Sequence, residues 1–244
     1  MKKEVILWGL ELEGYGAQDP SLPCGWELHR DMSIDPNYRD QWTGTTYELV
    51  TTPARKWEGN SLRQLKKELS GIGKWDPKVN ETCGFHIHLS LASWGEIIPQ
   101  EAKDLLVSRF RRDQEFLYRL NGGAAKERWD NGYCQPLVDG EEYEELFRYQ
   151  ELAMARPWSG VEFRLFAGTF DPVDVSNTLE VVVLWFEAAL SEVEFIVPAH
   201  LDQWVNEKLM ASVVRWPSDV WFPVPDITPR PRIGDIFEFP DFGE

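Results

Sequence analysis

The sequence predicts an α+β fold, and two kinds of periodicity predict it. Three runs alternate apolar and polar side chains: Leu10-Glu11-Leu12-Glu13, Phe85-His86-Ile87-His88-Leu89 and Val161-Glu162-Phe163-Arg164-Leu165. Successive side chains of a strand point to opposite faces, so each run is expected to bury its apolar members and present Glu, His or Arg on the other side. Elsewhere apolar residues recur at helical spacing, as in Leu62, Leu65, Leu69 and Ile72.

Taken in chain order, Val5 to Glu13 reads as a strand stopped by Gly14 and Gly16. Short strands follow near Trp26 and over Tyr47 to Thr52, the latter ended by Pro53. A surface helix starts at Ser61 and stops at Gly71 and Gly73. After the histidine strand, Leu105, Leu106, Phe110, Phe116, Leu117 and Leu120 lie among charges over Gln100 to Leu120, and Asn121-Gly122-Gly123 closes that helix. Another helix is expected over Glu141 to Met154, ahead of Pro157 and the Glu-Phe-Arg strand. Asp174 or Ser176 is expected to cap a long apolar helix through Leu179, Val182, Val183, Phe186 and Leu190, packed behind the sheet. His200 to Val214 reads as the last helix. From Trp216 onward, Pro217, Pro223, Pro225, Pro229, Pro231 and Pro240 forbid a long helix among Trp221, Phe222, Phe237, Phe239 and Phe242. The expected organisation is a main domain over residues 1–215 and a Pro/aromatic-rich arm or tail over 216–244, which either docks on the body or a neighbouring subunit or is partly ordered.

A length of 244 residues with 43% hydrophobic and 27% charged composition suits one large domain with a substantial core. With 41 acidic against 25 basic residues the formal charge is -16, which argues against general binding to nucleic acid or to an anionic membrane. A nucleotide site stays open, because one arginine and a bound divalent cation can reverse the potential inside a cleft. Cys24, Cys83 and Cys134 are odd in number and contain no Cys-x-x-Cys pair, so neither a disulfide framework nor a thiolate zinc site is indicated, and a reducing compartment is expected. Lys2 and Lys3 precede only a brief apolar stretch that Glu11 and Glu13 interrupt, which points to a cytoplasmic protein.

Each polar pair alone has a plain reading. Glu11 and Glu13 fit the solvent face of an edge strand, His86 and His88 fit structural histidines bonded to backbone, and Glu162 with Arg164 fits an ion pair. Together, each in phase with its own apolar face, they read as one site wall. Carboxylates with an imidazole suit Mg²⁺ or Mn²⁺ and leave positions for phosphate oxygens, while a guanidinium can steady a transferring phosphoryl group. The chain has no Gly-x-x-x-x-Gly-Lys phosphate loop, so ATP would bind by another architecture. The remaining histidines, His29 and His200, stand in unpromising contexts.

Five short blocks occur in a familiar order. They are Gly9 to Glu13, Trp26 with Asp31-Met32-Ser33-Ile34, Tyr47 to Pro53, Cys83 to His88, and Val161 to Thr169. The order resembles the amidoligase family, a branch of the carboxylate-amine ligases related to glutamine synthetase and glutamate-cysteine ligase. The resemblance implies a curved, mainly antiparallel sheet flanked by helices, like the glutamine synthetase catalytic domain. It also implies a reaction in which ATP phosphorylates a carboxylate and an amine then displaces phosphate to give an amide. ATP and Mg²⁺ (or Mn²⁺) would be the cofactors, and small-molecule or peptide carboxylates and amines the partners. By resemblance, Glu11, Glu13, Glu48, His86 and Glu162 are metal ligands, His88 faces the nucleotide, and Arg164 stabilises the transferred phosphoryl group, with Glu13 and Arg164 catalytic. Trp26, Asp31 and Ser33 are substrate-binding candidates. Met32 stands where the family has glycine, and Tyr149-Gln150-Glu151-Leu152-Ala153 lacks the asparagine of the family's Tyr-x-x-Leu-Asn block.

Two other classes fit some of these residues. A zinc or iron hydrolase or oxygenase would use His86, His88 and either Glu48 or Glu162, leaving Glu11, Glu13 and Arg164 without work. A binding module on a ligase-like fold would work through its acidic surface and aromatics such as Trp221 and Phe222.

Overall fold

Apolar side chains spaced by two along Ile6, Trp8, Leu10 and Leu12 are all buried, and they seed the sheet on which the molecule is built. The structure is a computed structural model that describes residues 4–16, 22–35, 45–52, 54–95, 97–124, 152–153 and 160–213. Its strands are β1 (Ile6–Tyr15), β2 (Trp26–Arg30), β3 (Thr46–Thr51), β4 (Arg55–Lys56), β5 (Gly84–Leu91), β6 (Leu152–Ala153) and β7 (Val161–Ala167). The helices are α1 (Ser61–Ile72), α2 (Gln100–Arg119), α3 (Pro172–Leu190) and α4 (Asp202–Val213). The fold is α+β, and every strand pairing among the described residues is antiparallel.

The sheet runs in the order β2-β3-β1-β5-β7-β6, with β4 joining β1 beyond the end of β3. β1 is therefore central, which overturns its reading as an edge strand and explains why Glu13 is only 7% exposed. Where β1 passes from β3 to β4 the backbone ladder breaks, and Thr51 Oγ1 accepts the Leu10 N–H at 2.8 Å in its place. β5 and β7 pair with a one-residue shift, since Phe85 faces Phe166 while Ile87 faces Phe163. The extra residue on β7 is a bulge, and it lets Phe163, Leu165 and Phe166 all reach the core.

On the apolar face the sheet side chains join Leu65, Leu69 and Ile72 of α1, Leu106, Phe110 and Leu117 of α2, and Leu179, Val182, Val183 and Phe186 of α3 in one core. Each fully buried Leu or Phe contributes about 1.5–3 kcal/mol relative to leaving it exposed. Trp185 stands edge-on to both Phe110 and Phe163, at 6.0 and 5.7 Å between ring centroids, and so ties α3 to α2 and the sheet.

Two expectations change. α3 is capped by Asp171, whose side chain accepts the Val173 and Asp174 N–H groups, with Pro172 starting the helix, so it begins before the Asp174 and Ser176 positions. Asp174 instead accepts from Trp204 Nε1 at 3.0 Å and Lys208 Nζ at 2.8 Å, fastening α4. Leu152 and Ala153, at the end of the helix expected over Glu141 to Met154, pair with β7 as a short strand. The remainder of that segment, including Tyr149 to Glu151, lies outside the described residues, as does the arm over 216–244. No helix among the described residues is long and apolar enough to cross a membrane.

Candidate metal and phosphate site

Antiparallel register aligns the polar faces of five strands. Glu48 on β3 stands opposite His29 on β2 and Glu13 on β1. Glu11 stands opposite His86 on β5, and His88 opposite Glu162 on β7. One polar band thus crosses the sheet from His29 to Glu162, with Arg164 two residues further along β7.

Glu11, His88 and Glu162 each offer one ligand atom, and the three atoms lie within 4.8 Å of one another. His88 Nε2 lies 2.9 Å from Glu11 Oε1. The His86 Nδ1 atom lies 3.0 Å from Glu11 Oε2 and 3.4 Å from Glu162 Oε1, while its Nε2 is 3.6 Å from Glu13 Oε1. Arg164 Nη1 donates to Glu162 Oε1, and the Gly84 N–H donates to Glu13 Oε2.

Gly84 is required here for space. A Cβ at that position would lie 2.6 Å from His86 Nε2 and 3.1 Å from Glu13 Oε2. The absence of a side chain lets both groups close over the backbone of β5.

Electrostatics follow from crowding carboxylates on a partly buried face. Burial alone would raise the Glu11 carboxyl, but hydrogen bonds and charge from His86 and His88 outweigh it and hold the group well below the usual carboxylate range. Glu48 is pushed up, first by burial and then by the charges of Glu11 and Asp31, against a partial opposing effect of His29. For His88, burial favours the neutral ring, yet the hydrogen bond and charge of Glu11 raise it above the ordinary histidine value.

His29 is the residue that sequence reasoning missed. Its Nδ1 lies 3.5 Å from Glu48 Oε1 and its Nε2 3.2 Å from Glu27 Oε2, on the same sheet face as the other groups. The signal was available, because Trp26-Glu27-Leu28-His29 repeats the two-residue alternation seen in the other site strands.

Trp26 requires a correction, since it belongs to the opposite face. The residue is 5% exposed, its Nε1 donates to Glu68 Oε2 on α1 at 2.8 Å, and the Arg55 guanidinium lies 5.6 Å from the ring centroid. The parity that brings Glu27 and His29 to the polar band turns Trp26 into the core.

Asp31 and Ser33 form a turn just after β2. The Asp31 Oδ1 atom accepts both the Ser33 N–H at 2.8 Å and the Ser33 hydroxyl at 2.7 Å. Met32 between them is 84% exposed and its φ is not positive, so replacing glycine costs this backbone nothing. Ile34 packs in a small apolar cluster with Tyr15 and Cys83, holding the turn against the end of β1.

The donor set is rich in oxygen. Glu11, Glu13, Glu48 and Glu162 supply carboxylates to this band, Arg164 pairs with Glu162, and one imidazole belongs to the Glu11, His88 and Glu162 group. Hard cations such as Mg²⁺ or Mn²⁺ match such donors. The zinc or iron alternative asks for two histidine ligands, but His86 already has carboxylates at both ring nitrogens. Compared with known proteins, the chain matches no family model and no curated protein.

Proposed function

We propose that this chain is an ATP-dependent carboxylate-amine ligase requiring Mg²⁺ or Mn²⁺, built on a glutamine-synthetase-like antiparallel sheet. The observation that carries the reading is the convergence of Glu11, His88 and Glu162 within 4.8 Å on one sheet face, bordered by Glu13, His86 and Arg164. An antiparallel sheet with helices on its apolar side and carboxylates on the other supplies the platform such a ligase needs.

The cation would be held by carboxylates of this band with imidazole support, and when bound it neutralises phosphate oxygens and orients the nucleotide. The chain's own residues do the remainder. Arg164, already directed at Glu162, presents a fixed fork of donors to the phosphoryl group in transfer. In the reaction, the γ-phosphoryl group passes from ATP to a substrate carboxylate oxygen, leaving ADP and an acyl phosphate. The amine nitrogen then attacks the acyl carbon, phosphate departs, and the nitrogen loses a proton. A bare carboxylate is a poor electrophile, and phosphorylation supplies the leaving group. Positioning and charge neutralisation account for most of the rate. The acidic band favours a cationic amine over an anionic one.

Calorimetric titration of metal-stripped protein with ATP, with and without Mg²⁺, tests the reading. Mg²⁺-dependent binding that fails in Glu13→Gln, followed by ADP release with a panel of amines and carboxylates, is the expected result. Absence of ATP binding under both conditions would refute it. Arg164→Ala should lower kcat far more than it weakens ATP binding, because its partner is the group in transfer.

A further inference from the structure

The chain has a formal charge of -16, yet over residues 61–75 its only acidic residue is Glu68. Glu68 is engaged by Arg55 at 2.6 Å and by Trp26, on the side of α1 that meets the sheet. The exposed side of α1 carries Arg63, Lys66 and Lys67, and Lys74 continues it in the 3₁₀ turn that follows the helix. Spacings of four and seven residues set Arg63, Lys67 and Lys74 in one line down the helix, with Lys66 beside it. Among the described residues, none of these cations lies within ion-pair distance of a carboxylate. Leu62 and Trp75, near the two ends of the line, are partly buried apolar side chains. Because Leu65, Leu69 and Ile72 join the core on the apolar side of the sheet, this cationic face lies across the sheet from the polar band.

The same chain contains a segment of complementary pattern. Asp235, Glu238, Asp241 and Glu244, outside the described residues, recur at every third position with no basic residue among them, and Ile236, Phe239 and Phe242 recur one place later. At three residues per turn, the period of an extended proline-rich chain, such a sequence has one acidic edge and one apolar edge. Asp235 to Asp241 then spans about 19 Å, and Arg63 to Lys74 about 17 Å along the helix. We propose that α1 is the docking surface for residues 235–244 of the same chain. The acidic edge faces Arg63, Lys66, Lys67 and Lys74, and the aromatic edge covers Leu62 and Trp75. Reach is no obstacle: from Val213 at the end of α4, the roughly 20 residues that lead to Asp235 extend to about 70 Å, against a diameter of about 45 Å for a domain of this size. Tethering also gives this segment a higher local concentration at α1 than a free anionic partner would have.

Carbodiimide cross-linking of the full chain, read by mass spectrometry, tests the docking, because the reagent joins a lysine amine to a carboxylate only where the two are in contact. The expected products are amides from Lys66, Lys67 or Lys74 to Asp235, Glu238, Asp241 or Glu244, formed at low salt and lost at about 1 M salt, where charges are screened beyond about 3 Å. Arg63→Glu leaves every reacting lysine in place and should lower the yield about fivefold, whereas Arg63→Lys should preserve it. Arg63 is exposed, so both variants should fold. An equal mixture of unlabelled and ¹⁵N-labelled protein locates the two partners. Products of a single isotope composition support docking within one chain, and products of mixed composition would assign the face to a second copy and overturn the proposal. Cross-links from the acidic segment to other lysines, no cross-links at all, or a yield indifferent to Arg63→Glu would each overturn it too.

Discussion

Replacing Gly84 with alanine should damage the site and the fold together, and the structure sets the scale. The added Cβ would lie 2.6 Å from His86 Nε2, well inside contact distance, and 3.1 Å from Glu13 Oε2. The φ of Gly84 is not positive, so the backbone itself would tolerate alanine and the whole cost is steric. His86 cannot swing aside freely, because it is 3% exposed and bonded to Glu11 at 3.0 Å. Overpacking of this kind costs about 1–3 kcal/mol. At roughly 2–4 °C per kcal/mol for a domain of this size, Tm should fall by about 2–12 °C. Displacing Glu13 and His86 should also weaken Mn²⁺ binding, by about 10-fold or more. Thermal denaturation and calorimetric Mn²⁺ titration measure the two effects. The natural control is Gly71→Ala in α1, where a Cβ meets nothing within 4 Å and should stabilise the helix by about 0.5–1 kcal/mol. A Gly84→Ala protein with wild-type Tm and wild-type Mn²⁺ affinity would refute the argument that Gly84 makes room for the site.

Three further outcomes follow from the same structure. Glu68→Ala removes the acceptor for Arg55 Nη1 at 2.6 Å and Trp26 Nε1 at 2.8 Å, so urea denaturation should show a loss of about 3 kcal/mol. Because this cluster lies on the core face, Mn²⁺ affinity should not change. Asp171→Ala deletes the cap of α3 and should cost about 1 kcal/mol in the same assay. Adding Mg²⁺ or Mn²⁺ at a hundred times its dissociation constant should stabilise the wild type by about 2.7 kcal/mol, and chelator should reverse the gain. A Tm that ignores both metal and chelator would count against the cation site.

The phase of each site strand was legible without a structure, because side-chain alternation is a property of the extended backbone and does not depend on what lies beside it. Glu11 and Glu13, His86 and His88, and Glu162 and Arg164 announce themselves in this way, and so do α1 and α2 through their helical spacing. Strand order and register are long-range quantities, settled by which apolar faces pack together, and local pattern does not carry them. Only the tertiary structure put β1 in the centre of the sheet, set Glu48 between His29 and Glu13, and placed the β7 bulge that sends Phe163, Leu165 and Phe166 to one core. Trp26 and His29 show the boundary most clearly. Their alternation was written in the sequence, but which parity faced carboxylates and which faced α1 depended on how β2 lay against β3. The same holds for His86 and His88, identical in chemistry and two residues apart, whose different surroundings come from neighbours on β1 and β7 that are distant in the chain.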